Sequence, residues 1–196
     1  ETDIVNATGK AYGVELMVKK QKGSLTGWIS YTYSRALLRS ATDFETEEVN
    51  NGEYWPADYD KPHDLKMVAN AKLSRRLNVT TSFIYNTGRP ITYPVAFYNF
   101  NNTNYLYYSS RNSYRMPDYI RLDLAATVNG NLKATKLNHS SFTLTVYNVL
   151  GRENPYSIYF RNEDGVVNGY KMTIFGQPVV MLTYNFRIFG NATGDF

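Results

Sequence analysis

The plainest pattern in the chain lies near its end, in Gln177-Pro-Val-Val-Met-Leu-Thr-Tyr-Asn-Phe-Arg-Ile-Phe189. From Val180 every second residue is apolar or aromatic: Val180, Leu182, Tyr184, Phe186 and Ile188. Met181, Thr183, Asn185 and Arg187 lie between them. Strand side chains alternate faces with period two, so this stretch predicts a strand with one oily and one mostly polar face. A water-soluble sandwich gives that alternation with the oily face turned inward. A transmembrane barrel gives it with the oily face turned to lipid and the polar face to a lumen.

The same period recurs six times upstream. Tyr12, Val14, Leu16 and Val18 share a face, and after the turn Gln21-Lys-Gly-Ser24 the pattern resumes at Leu25, Gly27, Ile29, Tyr31 and Tyr33. These two stretches predict a hairpin. Leu65, Met67, Ala69, Ala71 and Leu73 mark a third strand, the turn Ser74-Arg-Arg-Leu77 follows, and Val79, Thr81, Phe83 and Tyr85 mark a fourth. Ile120 to Val128 and Phe142 to Val146 supply the fifth and sixth, and the final stretch is the seventh.

The connections alternate: short, long, short, long, moderate, long. The long ones run from about Ala36 to Pro62, from Gly88 to about Pro117 and from Leu150 to about Gly176. In an up-and-down meander all three leave from one end, which is how bacterial outer-membrane barrels place their external loops. A compact soluble domain rarely carries such loops. The polar faces hold Glu15, Lys19, Asp64, Lys66, Lys72, Arg121, Asp123 and Arg187, which are expected to line a wet lumen. Bacterial barrels start at about eight strands, so seven need partners beyond this stretch of chain.

Composition narrows the picture little. There are 196 residues, 18 Tyr, 10 Phe and no Cys, with a formal charge of +4. A disulfide scaffold is excluded. No run approaches the length of a membrane helix, but a barrel strand needs only about 9–11 residues. The mild positive charge has no RNA-binding signature beside it, and no nucleic-acid partner is expected. Glu1-Thr-Asp-Ile4 lacks the features of a signal peptide, and the chain reads as a fragment or a processed product.

Six stretches resemble the C-terminal barrel of TonB-dependent outer-membrane receptors, in particular the Bacteroidetes type with a carboxypeptidase-like regulatory domain. They are Gly9-Lys-Ala-Tyr-Gly-Val-Glu-Leu16, Gly27-Trp-Ile-Ser-Tyr-Thr-Tyr-Ser34, Tyr59-Asp-Lys-Pro-His-Asp64, Tyr85-Asn-Thr-Gly-Arg-Pro90, Arg115-Met-Pro-Asp-Tyr-Ile-Arg-Leu-Asp-Leu124 and Val146-Tyr-Asn-Val-Leu-Gly-Arg-Glu-Asn-Pro155. Their order and spacing cover nearly the whole chain. The resemblance implies an all-β, antiparallel, up-and-down transmembrane barrel of about 22 strands, residues 1–196 forming the last seven. It implies a plug domain and a TonB-contacting segment elsewhere in the parent chain, an outer-membrane location among lipid and lipopolysaccharide, and import of a nutrient such as an oligosaccharide or siderophore. A surface lipoprotein is a further partner it allows. The family's assembly signal is a terminal aromatic; here Phe189 ends the strand but Gly190 to Phe196 continue past it.

No catalytic constellation is visible, and neither enzyme activity nor a cofactor is expected. His63 and His139 stand in separate segments, which argues against zinc. His63, at the start of a strand, suits hydrogen bonding at a barrel rim. The acidic residues from Asp43 to Asp60 have carboxylates for calcium but not EF-hand spacing; a solvated loop is the plain reading, and no metal site is assigned. The best ligand candidates are the tyrosines and arginines of the second long loop: Tyr93, Tyr98, Tyr105, Tyr107, Tyr108, Arg111 and Arg115, with Tyr54 and Trp55 joining from the first. Aromatic faces stack on sugars or flat chelates, and arginines pair with anions. The alternative for the same residues is an aromatic girdle and loop packing. Asn-X-Ser/Thr triplets at Asn6, Asn78, Asn101, Asn138 and Asn191 read as chance. Two other readings stay open: a non-transporting barrel or surface-binding module, and a soluble β-protein whose oily faces bury each other.

Overall fold

The computed structural model describes residues 6–42, 48–101, 103–130, 138–163 and 166–188. Its strands in chain order are β1 (Ala7–Lys20), β2 (Leu25–Ser40), β3 (Trp55–Pro56), β4 (His63–Lys72), β5 (Leu77–Asn86), β6 (Pro90–Ile91), β7 (Pro94–Phe100), β8 (Thr103–Tyr108), β9 (Tyr114–Arg115), β10 (Tyr119–Asn129), β11 (Asn138–Tyr147), β12 (Pro155–Glu163), β13 (Val166–Thr173) and β14 (Val179–Ile188). Seven of them, β1-β2-β4-β5-β10-β11-β14, form one antiparallel sheet in chain order. These are the seven that the period-two pattern predicts; β1 and β2 run several residues further, β4 ends one residue before Leu73, and β14 keeps nearly the predicted bounds. The protein is all-β and antiparallel.

Register aligns the oily positions into rows. Directly paired residues point to the same face. One row is Leu16, Tyr31, Leu65, Tyr85 and Ile120; the next is Val18, Ile29, Met67, Phe83 and Leu122. Leu124, Val146 and Val180 continue a third from Ala69 and Thr81, and Leu25, Ala71, Val79, Ala126, Leu144 and Leu182 make a fourth. Leu77, Val128, Phe142 and Tyr184 close the set. A slip of one residue in any strand would turn its oily set to the other face, so pattern and register support each other.

Nothing among the described residues covers these rows. Leu182 is 69% exposed, Leu16 62% and Ile29 47%. Phe83 and Leu122 are half-buried by their own neighbours in the sheet. Among the described residues the buried apolar side chains are Trp55, Ala57 and Met116 with Pro90 and Pro94, and all of them lie in the long connections. Among the described residues no second layer of strands packs on the sheet, and the oily faces do not bury one another as a sandwich requires.

The opposite face carries the expected polar set. Glu15, Thr32, Asp64 and Asn86 stand in one row, and Ser30, Lys66 and Arg121 in the next. Asp64 pairs with Lys66 at 3.1 Å, and Arg121 with Asp123 at 2.8 Å. The backbone of Arg187 pairs with that of His139, and the side chain of Arg187, expected to line the lumen, lies outside the described residues.

The three long connections all leave from one end, and they are structured. β3 hydrogen-bonds to the top of β2. The second loop folds into a hairpin, β7-β8, over a short pair, β6-β9. The third makes the hairpin β12-β13. The aromatic-rich segments expected as irregular loops are therefore largely strand. At the other end the turns Gln21–Ser24 and Leu73–Arg76 are short, as expected. Asp43, Glu45, Glu47, Asn191, Phe189 and Phe196 lie outside the described residues.

Candidate functional site

Four of the six stretches quoted above, Tyr59–Asp64, Tyr85–Pro90, Arg115–Leu124 and Val146–Pro155, meet at the loop end of the sheet, and charge and hydrogen bonding hold them there. Asp60 is buried in the first long loop. Its carboxylate takes the guanidinium of Arg115 on one oxygen and Arg35 Nε at 3.3 Å on the other. It also accepts the Ala36 amide at 2.7 Å. Arg115 donates further to the Asp60 carbonyl at 2.9 Å and the Gly88 carbonyl at 3.0 Å. A carboxylate out of water needs such partners, and here two cations and an amide supply them.

Asp118 performs the next join. It accepts the Tyr85 hydroxyl at 2.8 Å and the Gly88 amide at 2.9 Å. Gly88 is required there: a Cβ would sit 1.7 Å from the Met116 carbonyl. Asn154 clasps Ile120 by amide and carbonyl together, and Arg152 reaches the Asp118 carbonyl. Asn148 is buried in the left-handed conformation (φ 52°), which Asn tolerates better than most residues. Its amide NH donates to Asp123, and its side chain donates to the carbonyls of Arg152 and Phe175. The loop is thereby pinned to β10.

On the oily side of the same rim, His63 Nδ1 lies 2.8 Å from the Tyr31 hydroxyl, with the Tyr31 and Tyr33 rings against it. This is the hydrogen-bonding placement expected for His63.

The nominated ligand residues divide. Trp55 is buried, and Arg115 is committed to Asp60. Both hold the rim together. Arg111 is exposed and bonds Asn50 through its backbone. Tyr54 is 41% exposed, with Lys10 Nζ 3.7 Å from its ring centre. Tyr98 and Tyr105 stack at 5.5 Å across the β7-β8 hairpin, and Tyr107 and Tyr108 are exposed beside them. Tyr93 packs edge-on to Tyr114 at 4.2 Å. The hydrogen bond to Tyr114 raises the Tyr93 phenol above its ordinary pKa, with burial adding to it. Tyr159 and Tyr170 form a matching stack on β12-β13. There the Glu163 carboxylate accepts the Tyr170 hydroxyl at 2.6 Å and raises that phenol's pKa.

Below these hairpins the polar face holds a cavity of about 750 Å³. Tyr147, Val179, Met181 and Arg121 rise into it from the strands, and Arg89, Tyr156 and Phe175 close it from the loops. Lys61, Arg89 and Arg121 bring positive charge and no carboxylate lines it. That volume suits a small ligand, with apolar walls to bury it and a few polar groups to orient it. Of the nominated residues only Arg121 lines it. The cavity joins side chains from segments far apart in sequence, and no local pattern marks it. Among the described residues no cluster of metal-ligating side chains exists.

Fold and rim together define an antiparallel β-sheet protein with an uncovered apolar face and structured loops gathered at one end. No family model, curated protein or solved structure matches the chain.

Proposed function

We propose that this chain is the C-terminal part of the barrel of a TonB-dependent outer-membrane receptor, and that the parent protein imports a nutrient. The observation that carries the reading is the five-row apolar face, left uncovered over seven meandering strands with every long loop at one end. From Ile120 to Val128 those rows span eight residues of strand. At about 3.4 Å per residue that is about 27 Å along the strand, and about 21 Å after a tilt of about 40°, close to a barrel's apolar band. The unpaired edges of β1 and β14 are joined to the remaining strands of the same receptor. The polar face turns to the lumen and the plug. The TonB complex acts through the N-terminal part of the parent.

The rim cavity and the tyrosine stacks above it form part of the ligand path. Oligosaccharide and siderophore are both compatible with aromatic platforms, hydroxyl and amide groups and a positive lining. The chain performs no covalent chemistry in this reading; it binds, orients and encloses.

The test is the parent gene. Its product should fractionate with the outer membrane and migrate as a heat-modifiable band. A deletion strain should lose growth on one scarce nutrient and regain it on complementation. Regained growth with Arg89→Ala, Tyr156→Ala and Phe175→Ala combined should be at least several-fold slower at limiting nutrient, with normal protein levels. A heat-modifiable barrel whose deletion alters no uptake would instead favour a non-transporting barrel.

A further inference from the structure

We infer that the short-turn end of the sheet is a docking surface for anionic phospholipid headgroups; this rests on the membrane reading above. The first turn and the strands flanking it carry Lys19, Lys20 and Lys22, and the second carries Lys72, Arg75 and Arg76. All six are exposed. No acidic residue stands in Lys19–Ser24 or Lys72–Leu77, and none of the six is in an ion pair among the described residues. The turns are neighbours: the Lys72 amide donates to the Ser24 carbonyl at 2.7 Å, and the Asn129 amide to the Arg76 carbonyl at 2.8 Å. Lys20, Lys22, Arg75 and Arg76 stand in the turns or on the oily face, with Lys19 and Lys72 beside them on the polar face, and no described acidic residue neighbours the six. The acidic residues of the described strands and loops lie toward mid-strand or at the opposite end, from Glu15 and Asp64 to Asp118 and Glu163.

A bare cationic end is ordinarily a solvated one. Here it adjoins the oily face. Leu25 and Leu73, in or beside the two turns, are 52% and 64% exposed. At the same level Phe142 and Tyr184 pack at 4.6 Å, and Tyr184 stacks on Phe186 at 5.9 Å, all three exposed. Aromatic side chains next to basic ones at the edge of an apolar band match the boundary between acyl chains and headgroups. Lys20 stands on the oily face itself, in the row of Gly27 and Ala69. Its aliphatic stem is suited to lie on that surface with the ammonium at the headgroups. Phosphate is the group such a layer offers to lysine and arginine. Anionic lipid adds net charge that zwitterionic lipid lacks, and each cation near such a surface favours binding by about 5-fold. The loop end differs in kind: its basic residues stand among acidic ones, as Arg35 and Arg115 do with Asp60.

The experiment uses the full-length parent, folded into vesicles of phosphatidylethanolamine alone or with about a quarter phosphatidylglycerol. Lipid selectivity is read by fluorescence quenching with brominated phosphatidylglycerol against brominated phosphatidylethanolamine, with a tryptophan in place of Tyr184. The wild-type turns should enrich phosphatidylglycerol several-fold, and salt should reduce the enrichment. Lys22→Gln, Arg75→Gln and Arg76→Gln combined should abolish most of it while the heat-modifiable band stays unchanged. Equal quenching by the two lipids in a correctly inserted protein overturns the inference and leaves the membrane reading standing. Failure to insert into either vesicle overturns both. Binding of soluble polyphosphate in detergent as tight as the vesicle preference would also overturn it, since the site would then recognise polyanions in general.

Discussion

Single residues at the rim carry more of the structure than their loop setting suggests. Asp60 joins Arg35, Arg115 and the Ala36 amide. Removing it strands two guanidinium groups and a backbone donor. We expect Asp60→Ala to cost the parent about 3 kcal/mol in a denaturant titration in vesicles. Asn148 is a second such point. Asn148→Gly keeps the left-handed backbone and loses the two side-chain donors, about 2 kcal/mol in the same titration. Asn148→Asp keeps the shape but turns acceptors toward the Arg152 and Phe175 carbonyls, with Asp123 nearby, and should cost more than Asn148→Gly. Tyr170 gives a pH-dependent reading. Its phenol pKa is raised because the neutral form donates to Glu163. The contact is therefore complete below the ordinary phenol value and lost as pH rises through the raised one. Ultraviolet titration should show Tyr170 ionising later than free tyrosine, and Glu163→Gln should bring it back.

At the scale of elements, what was legible follows from period. A strand with one wet and one oily face declares itself in ten residues, as Val180 to Ile188 does, and the seven main strands were all visible. The hairpins β7-β8 and β12-β13 were not. Their faces are aromatic on both sides: Tyr98 and Tyr105 on one, Leu106 and Tyr108 on the other, so alternation is lost. Trp55 and Arg115 were nominated for ligand contact because their types suit it. No local pattern marks Asp60, about 55 residues before Arg115, as its partner. The motif Tyr59-Asp-Lys-Pro-His-Asp64 held that information, but only the fold assigns the carboxylate its role. The main sheet supplies its own prediction. Leu124 stands in the third of the five rows, with Ala69, Thr81, Val146 and Val180. Leu124→Arg should cost about 2–4 kcal/mol in a bilayer, measured by vesicle unfolding. In a water-facing sheet the same change would be nearly neutral.

At the scale of the whole molecule, the decisive fact is where apolar burial occurs. Trp55, Ala57 and Met116 are buried in the loops, and the oily rows on the strands are not. A sheet that leaves its apolar face open in water loses the main term that stabilises folded chains. In lipid the same face needs no protein cover, provided every strand edge is paired. In the proposed reading one environment, lipid, answers both the open face and the edges of β1 and β14. These 196 residues contain no cysteine, so the background to remove is confined to the rest of the parent. Single cysteines are placed in the parent at Leu16, Ile29, Phe83, Leu122 and Leu182, and as controls at Glu15, Lys66 and Thr183, then challenged in intact outer membranes with a water-soluble maleimide and, after fluorescent labelling, with a lipid-borne quencher. We expect the first five to resist the maleimide and be quenched from the lipid, and the controls to escape quenching. Five cysteines shielded from both reagents would contradict the account, for they would be packed against protein.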